Sequence, residues 1–269
     1  MHEGRVMKRV GKEISSVERW EERAASYEAG IGGAYHAHRL RIVKSMLPDL
    51  AGETVVDFGC GDGILAAEAQ SRDAGRIIGC DPNALLIGKA REKLGDVELH
   101  QGGVEILEQL DANISGCLLA INVLAYLTET EEERFYRAAT RIVRPGGCLL
   151  ITHSNALFDM FTLNAFTAAF FERNFGCDAG SLLQFPHRPQ RLSFSIRENP
   201  LAYAHKLARF GFREARQEFM NFHPEPPLLS TEDPDDMDRV RRETLDWPVA
   251  ERWKLAFQCS MFASASIRI

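Results

Sequence analysis

The run Val55-Val56-Asp57-Phe58-Gly59-Cys60-Gly61-Asp62-Gly63 constrains the fold more than any other stretch of this chain. A short β-branched strand leads straight into three alternating glycines, and an apolar, alanine-rich helix follows from Ile64 to about Gln70. Glycine has no Cβ, so it lets backbone approach a ligand closely and takes positive φ at little cost. A helix that starts at such a bend points unpaired N–H groups at whatever lies there. The spacing is G-x-G-x-G with an acid two residues ahead of the first glycine, not the G-x-G-x-x-G of dinucleotide loops, and no Gly-Lys-Ser/Thr ending marks a phosphate loop. An acid beside a glycine bend suits a ligand with an amine and a carboxylate better than a pyrophosphate. A second strand, Arg76-Ile77-Ile78-Gly79-Cys80-Asp81, ends in another acid, and a carboxylate there can accept both hydroxyls of a ribose.

Strands and helices then alternate: Thr54–Phe58, Ile64–Gln70, Arg76–Cys80, Asn83–Lys93, Val97–Gln101, Gly116–Ile121, Glu129–Ile142 and Cys148–His153. Such alternation predicts a parallel sheet with helices on both faces and right-handed crossovers. Ligands of these sheets sit outside the carboxyl ends of the strands, so Asp57, Asp81, Gln101, Asn122 and His153 are expected along one rim. Before the core, residues 14–29 and Ala34 to Leu47 read as helices joined by Gly30, Gly32 and Gly33, the second stopping at Pro48. After it, Asn155–Phe175 reads as one aromatic-rich helix, Gly176–Arg191 as a loop, Leu192–Ile196 as a strand and Pro200–Phe210 as a helix. Phe212–Phe222 and Phe257–Ile269 read as an antiparallel pair of last strands, separated by a proline-marked acidic insertion. The aromatic helix has three readings: buried core, the interface of a homodimer, or a lid that excludes water from a reaction.

At this point the chain resembles the class I S-adenosylmethionine-dependent methyltransferases. The resemblance is carried by Val55 to Gly63, Ile77 to Pro82, Gln101-Gly102-Gly103-Val104-Glu105 and Arg144-Pro145-Gly146-Gly147, over roughly residues 50–152. It implies an α/β, Rossmann-like doubly wound sheet of seven strands, mostly parallel, with a last antiparallel strand. It implies a helical cap or lid over 1–50, a cofactor-binding core over 51–153, and a remainder of the same domain over 154–269. Insertions at 154–200 and 223–250 would form the substrate cap. The cofactor implied is S-adenosylmethionine, with S-adenosylhomocysteine as product. By resemblance, Asp57, Gly59 and Gly61 hold the methionine end, Asp81, followed by Pro82, holds the ribose, and Tyr27 covers the cofactor. Where the family often carries a polar residue after the third strand, this chain has Gly103, so the adenine contact falls to the Val104 backbone or to Glu105. Asn122, after the fourth strand, is placed to meet the methionine end.

Composition narrows the acceptor. The formal charge is −6, and between Phe222 and Asp246 eight acids face three arginines, so nucleic acid is not an expected partner. The Asn/Asp-Pro-Pro-Tyr/Phe that marks adenine-base methylation is absent after the fourth strand, where the chain reads Ile121-Asn122-Val123-Leu124-Ala125-Tyr126. The cysteines lack zinc spacing, and Asp235-Asp236-Met237-Asp238 matches no calcium loop, so no metal is expected. No apolar run reaches the roughly 18 residues of a membrane span, and no leader pattern is read, so a cytoplasmic enzyme is expected. A hydroxyl acceptor needs a base near neutral pKa, which suits histidine. His153, at the end of its strand, and His36, on the second helix, are the candidates, with His38, His187, His205 and His223 behind them. The expectation is methyl transfer to a small molecule, at oxygen ahead of nitrogen. A non-catalytic cofactor-binding partner subunit and a protein or RNA methyltransferase are the alternatives.

Overall fold

The computed structural model describes residues 34–162, 167–176, 197–222 and 253–269. The helix expected over 14–29 with Tyr27, the loop and strand expected between 177 and 196, the acidic insertion 223–250, and His187 and His223 lie outside the described residues.

In chain order the elements are α1 (Ala34–Met46), β1 (Thr54–Phe58), α2 (Ile64–Ser71), β2 (Arg76–Asp81), α3 (Ala84–Leu94), β3 (Glu98–Gln101), α4 (Val104–Gln109), β4 (Ser115–Ala120), α5 (Glu129–Ile142), β5 (Val143–Asn155), α6 (Ala156–Phe161), α7 (Ala168–Phe175), β6 (Arg197–Glu198), α8 (Tyr203–Arg209), β7 (Phe212–Phe222), α9 (Leu255–Gln258) and β8 (Cys259–Arg268). They build one sheet in the order β3-β2-β1-β4-β5-β8-β7, with the short β6 beside β5. Strands β1 to β5 run parallel, and β8 is antiparallel to both β5 and β7. The expected seven strands are therefore present. The eighth, β6, arises where Arg197 and Glu198 pair with Ser154 and Asn155 at the end of β5.

Side-chain alternation along each strand divides the core in two. Val55, Cys117, Leu119, Cys148 and Leu150 face a layer containing Ile42 and Val43 of α1, Leu65 and Ala66 of α2, and Ile87 and Ala90 of α3. Val56, Phe58, Leu118, Leu149 and Ile151 face Phe135 and Tyr136 of α5 and Tyr203 and Leu207 of α8. Strand β4 is buried along its whole length, as a central parallel strand covered on both faces must be. Helix α5 starts at a reciprocal cap: Glu131 N–H donates to Thr128 Oγ1 at 3.2 Å, and Thr128 N–H donates to the Glu131 carboxylate at 2.7 Å. Its Phe135 is fully buried and stacks on Phe58 at 5.2 Å between ring centroids, locking the helix to β1.

Two boundaries depart most from expectation. Strand β5 is longer than Cys148–His153, because Val143 pairs with Ser115 ahead of a bulge and Ser154 and Asn155 pair with β6. The helix expected over Asn155–Phe175 is split. Asn155 is still extended, and its Oδ1 caps α6 by accepting from Leu157 N–H at 3.0 Å. Its Nδ2 donates to the carbonyls of Ala256 and Cys259, each at 2.7 Å. Thr162 then leaves helical geometry, and α7 begins only at Ala168. The fully used, buried Asn155 amide fixes where α6 begins.

Candidate functional site

The strand order reverses between β1 and β4, and a cleft opens at the carboxyl ends of these two strands, where doubly wound sheets bind ligands. Its floor is the glycine bend. Gly59, Gly61 and Gly63 have φ of +74°, +55° and +81°, and two amides of the bend are tied to β2, with Gly59 N–H and Cys60 N–H donating to the Cys80 carbonyl at 2.7 and 3.0 Å. A Cβ on Gly59 would lie 2.2 Å from Val123 Cγ2, so the chain leaving β4 packs directly on this glycine.

The cleft has two lobes that share Gly59, Gly61, Ile121 and Asn122. The first lobe encloses about 560 Å³ including its open mouth. It is bordered by Asp81, Pro82, Leu86, Gly103, Val123 and Leu127. Asp81 is 7% exposed, and each of its oxygens already takes one backbone N–H, Gly61 at 3.0 Å and Asn83 at 2.9 Å. Burial raises its pKa, and the two amides oppose that shift. A carboxylate oxygen has a second lone pair, so Asp81 is rigidly aimed and can still accept from a vicinal diol. Gly103 lines the lobe, and its N–H donates to Glu105 Oε1 at 2.6 Å, which folds the Glu105 carboxylate back over Gly102 and Gly103. The Val104 side chain is buried in the core.

The second lobe is bordered by His36 and Arg39 of α1 together with Asp57, Asp62, Asn122 and Thr152. Asp57 is 2% exposed, and its Oδ2 has no partner. Desolvation above all, then the neighbouring Asp81, raises its pKa to about 7, while an Ala66 N–H bond pulls the other way. His36 Nε2 is likewise buried without a partner, and burial followed by the charge of Arg39 lowers its pKa, so its imidazole is neutral at neutral pH. Asn122 is in the left-handed region at φ +60°, with its N–H donating to Thr152 Oγ1 at 2.7 Å.

The expected residues are thus sorted. Asp57, Gly59, Gly61, Asp81, Pro82, Gly103, Asn122 and His36 gather at the cleft. His153 does not. It is 1% exposed, with its ring 4.4 Å from that of Tyr203 and 5.1 Å from that of Phe262 between centroids, and both nitrogens lack partners. Burial, then Lys206, drives its pKa well down. Period-two alternation explains the placement: Thr152 shares the face of Cys148 and Leu150 with Asp57, and His153 falls on the face of Leu149 and Ile151. His38, two residues from His36, is buried rather than at the cleft. Arg39, Thr152, Leu86, Val123 and Leu127 were not anticipated. Arg39 follows His36 by three residues on one helix, a spacing that puts both on one face.

The site fits an adenosyl group with an amino-acid tail. The apolar border of the first lobe suits a flat purine, Asp81 suits a ribose, and the unpartnered oxygen of Asp57 is an acceptor awaiting a cationic donor. Fold and cleft define a doubly wound nucleotide-cofactor domain. Comparison with known proteins extends this. Residues 55–147 match the family model described as a methyltransferase domain. The ribosomal protein L11 methyltransferase of Aliivibrio salmonicida is 30% identical over 133 residues, covering 49% of this chain and 42% of that protein. The chain spans well under two thirds of the curated relatives it matches, only 18% of the Alteromonas mediterranea L11 methyltransferase. Among solved structures, a Haloferax volcanii methyltransferase in complex with the activator Trm112 aligns at 18% identity and TM-score 0.60, over 94% of this chain and 97% of that one. The magnesium protoporphyrin IX methyltransferase of Synechocystis, solved with S-adenosylhomocysteine, aligns at 14% identity and TM-score 0.56, over 95% and 100%. At such identities the structural likeness establishes the fold. The likeness to a methyltransferase domain rests on residues 55–147.

Proposed function

We propose that this protein transfers a methyl group from S-adenosylmethionine to a small-molecule acceptor, at oxygen ahead of nitrogen. The observation that carries the reading is the pair of lobes meeting over the glycine bend, one ending in Asp81 and the other in the unpartnered oxygen of Asp57. When bound, the cofactor supplies a methyl group on a sulfonium, already electrophilic and with a neutral leaving group. The residues then have mainly to orient and desolvate, which contributes about 7–11 kcal/mol in well-aligned systems. In this reading Asp81 takes the ribose hydroxyls, and Pro82, Leu86 and Val123 flank the adenine. Gly103 and Glu105 sit at the adenine edge. Asp57 takes the amino end beside the Gly59–Gly61 bend, and Arg39 takes the carboxylate. Asn122 lies where the two lobes meet. His36, neutral and unpartnered at Nε2, accepts the proton of a hydroxyl acceptor or orients it. A net charge of −6 argues against a polyanionic acceptor.

The curated L11 relatives favour a second reading, a protein acceptor, although the match to the Aliivibrio salmonicida protein covers 49% of this chain. Calorimetry with S-adenosylmethionine and S-adenosylhomocysteine tests the cofactor assignment: both should bind below about millimolar, and Asp81→Ala should weaken binding about 10-fold or more, the loss of hydrogen bonds to a charged group. Binding weaker than about 1 mM would overturn the assignment. A panel of small hydroxylated and amine acceptors set against protein extracts then separates the two acceptor classes. Cofactor binding without turnover of any acceptor would favour a non-catalytic partner subunit.

A further inference from the structure

Granting the cofactor reading of the cleft, we propose that Thr152 is a positioning residue: through its hydroxyl it fixes the turn at Asn122, and that turn sets the seat of the cofactor's reactive end.

The β4–β5 ladder closes with Ala120 opposite Ile151. Past that point the chain leaving β4 must turn, or it would run over the glycine bend. It turns at Asn122, whose φ of +60° disfavours an L-residue by roughly 1–2 kcal/mol, asparagine being among the more tolerant. The amide released from the ladder by this turn donates instead to a side chain, Thr152 Oγ1, at 2.7 Å. Thr152 is 2% exposed and held in β5, opposite Ala263 of β8, so the acceptor cannot move without the sheet. The turn controls two things at once. Asn122 borders both lobes of the cleft, and Val123, next in the chain, presses its Cγ2 to the place where a Cβ on Gly59 would be. Loosening the Thr152 bond would let the carboxamide at the junction and the residue packed on the bend shift together. Displacements of about 1 Å near a reacting centre cost on the order of 100-fold in rate. Thr152 acts here through Asn122 and not on the reacting atoms.

The test uses the full chain and S-[methyl-13C]adenosylmethionine, following the bound methyl resonance by NMR and the affinity by calorimetry. Thr152→Val keeps the shape and removes the hydroxyl. It should shift or broaden the bound methyl resonance. Thr152→Ser should restore the native resonance. Asn122→Gly adopts the turn without help, so adding Thr152→Val to it should change neither resonance nor affinity further. This pair carries the test if Thr152→Val alone does not fold. An unchanged resonance in Thr152→Val, failure of serine to rescue, or a further shift when valine is added to Asn122→Gly would overturn the assignment. Absence of cofactor binding by the native protein would instead overturn the functional reading on which it rests.

Discussion

Asp57 shows how much one buried atom decides. Its carboxyl is desolvated and faces Asp81, so the protonated form is favoured up to pH about 7 in the folded protein, against about 3.9 for an unperturbed aspartate. The folded state then binds more protons than the unfolded state across that window, so stability is highest below pH about 4 from this group and falls as pH rises toward 7. The slope is at most about 1.4 kcal/mol per pH unit. Urea unfolding between pH 5 and 7 should show the decline, and Asp57→Asn should flatten it. A cationic amine seated against Asp57 reverses the balance by favouring the carboxylate, so cofactor affinity should rise with pH toward 7 in the native protein and not in Asp57→Asn. The two acids of the bend region and the glycines were legible from residue types alone. His153 was not placed correctly by the expectation that a strand-end residue faces the rim. The strand has two faces, and packing across the sheet decides between them: Thr152 continues the Cys148–Leu150 row that shares Asp57's side.

At the scale of elements, the bend between β1 and α2 and the turn after β4 form one interlocked unit. Gly59→Ala would place a methyl against Val123 at 2.2 Å and force an alanine to φ +74°. The combined cost is roughly 2–5 kcal/mol from left-handed backbone and overpacking, measurable by chemical denaturation. Val123→Ala in the same background should recover the packing share and leave the backbone share. Helix periodicity predicted α1, α2, α3 and α5 close to their observed bounds because one face of each is apolar and nothing competes with the backbone. It failed between Asn155 and Phe175, where Thr162 takes extended backbone after α6. The Asn155 amide reaches the Ala256 and Cys259 carbonyls, about a hundred positions along the chain, and that contact ends β5 and starts a separate helix.

For the whole molecule, a ligand that spans β1, β2, β4 and α1 should stabilise all of them together. S-adenosylhomocysteine at 100 times its dissociation constant should add about 2.7 kcal/mol. The melting temperature should then rise by roughly 5–10 °C at the usual 2–4 °C per kcal/mol for chains of this size, readable by differential scanning fluorimetry. Asp81→Ala, binding about 10-fold more weakly, should lose about half of that rise at the same ligand concentration. The sequence alone determined the doubly wound sheet, the glycine bend and both carboxylates of the cleft, because each depends on contacts within a few residues: strand alternation, a left-handed bend, an acid at a strand end. Tertiary structure decided which histidine reaches the cleft, that Thr152 holds the Asn122 turn, and that Asp57 keeps an oxygen without a partner. Those outcomes depend on which elements meet across the sheet and how completely water is removed between them, and spacing along the chain records neither.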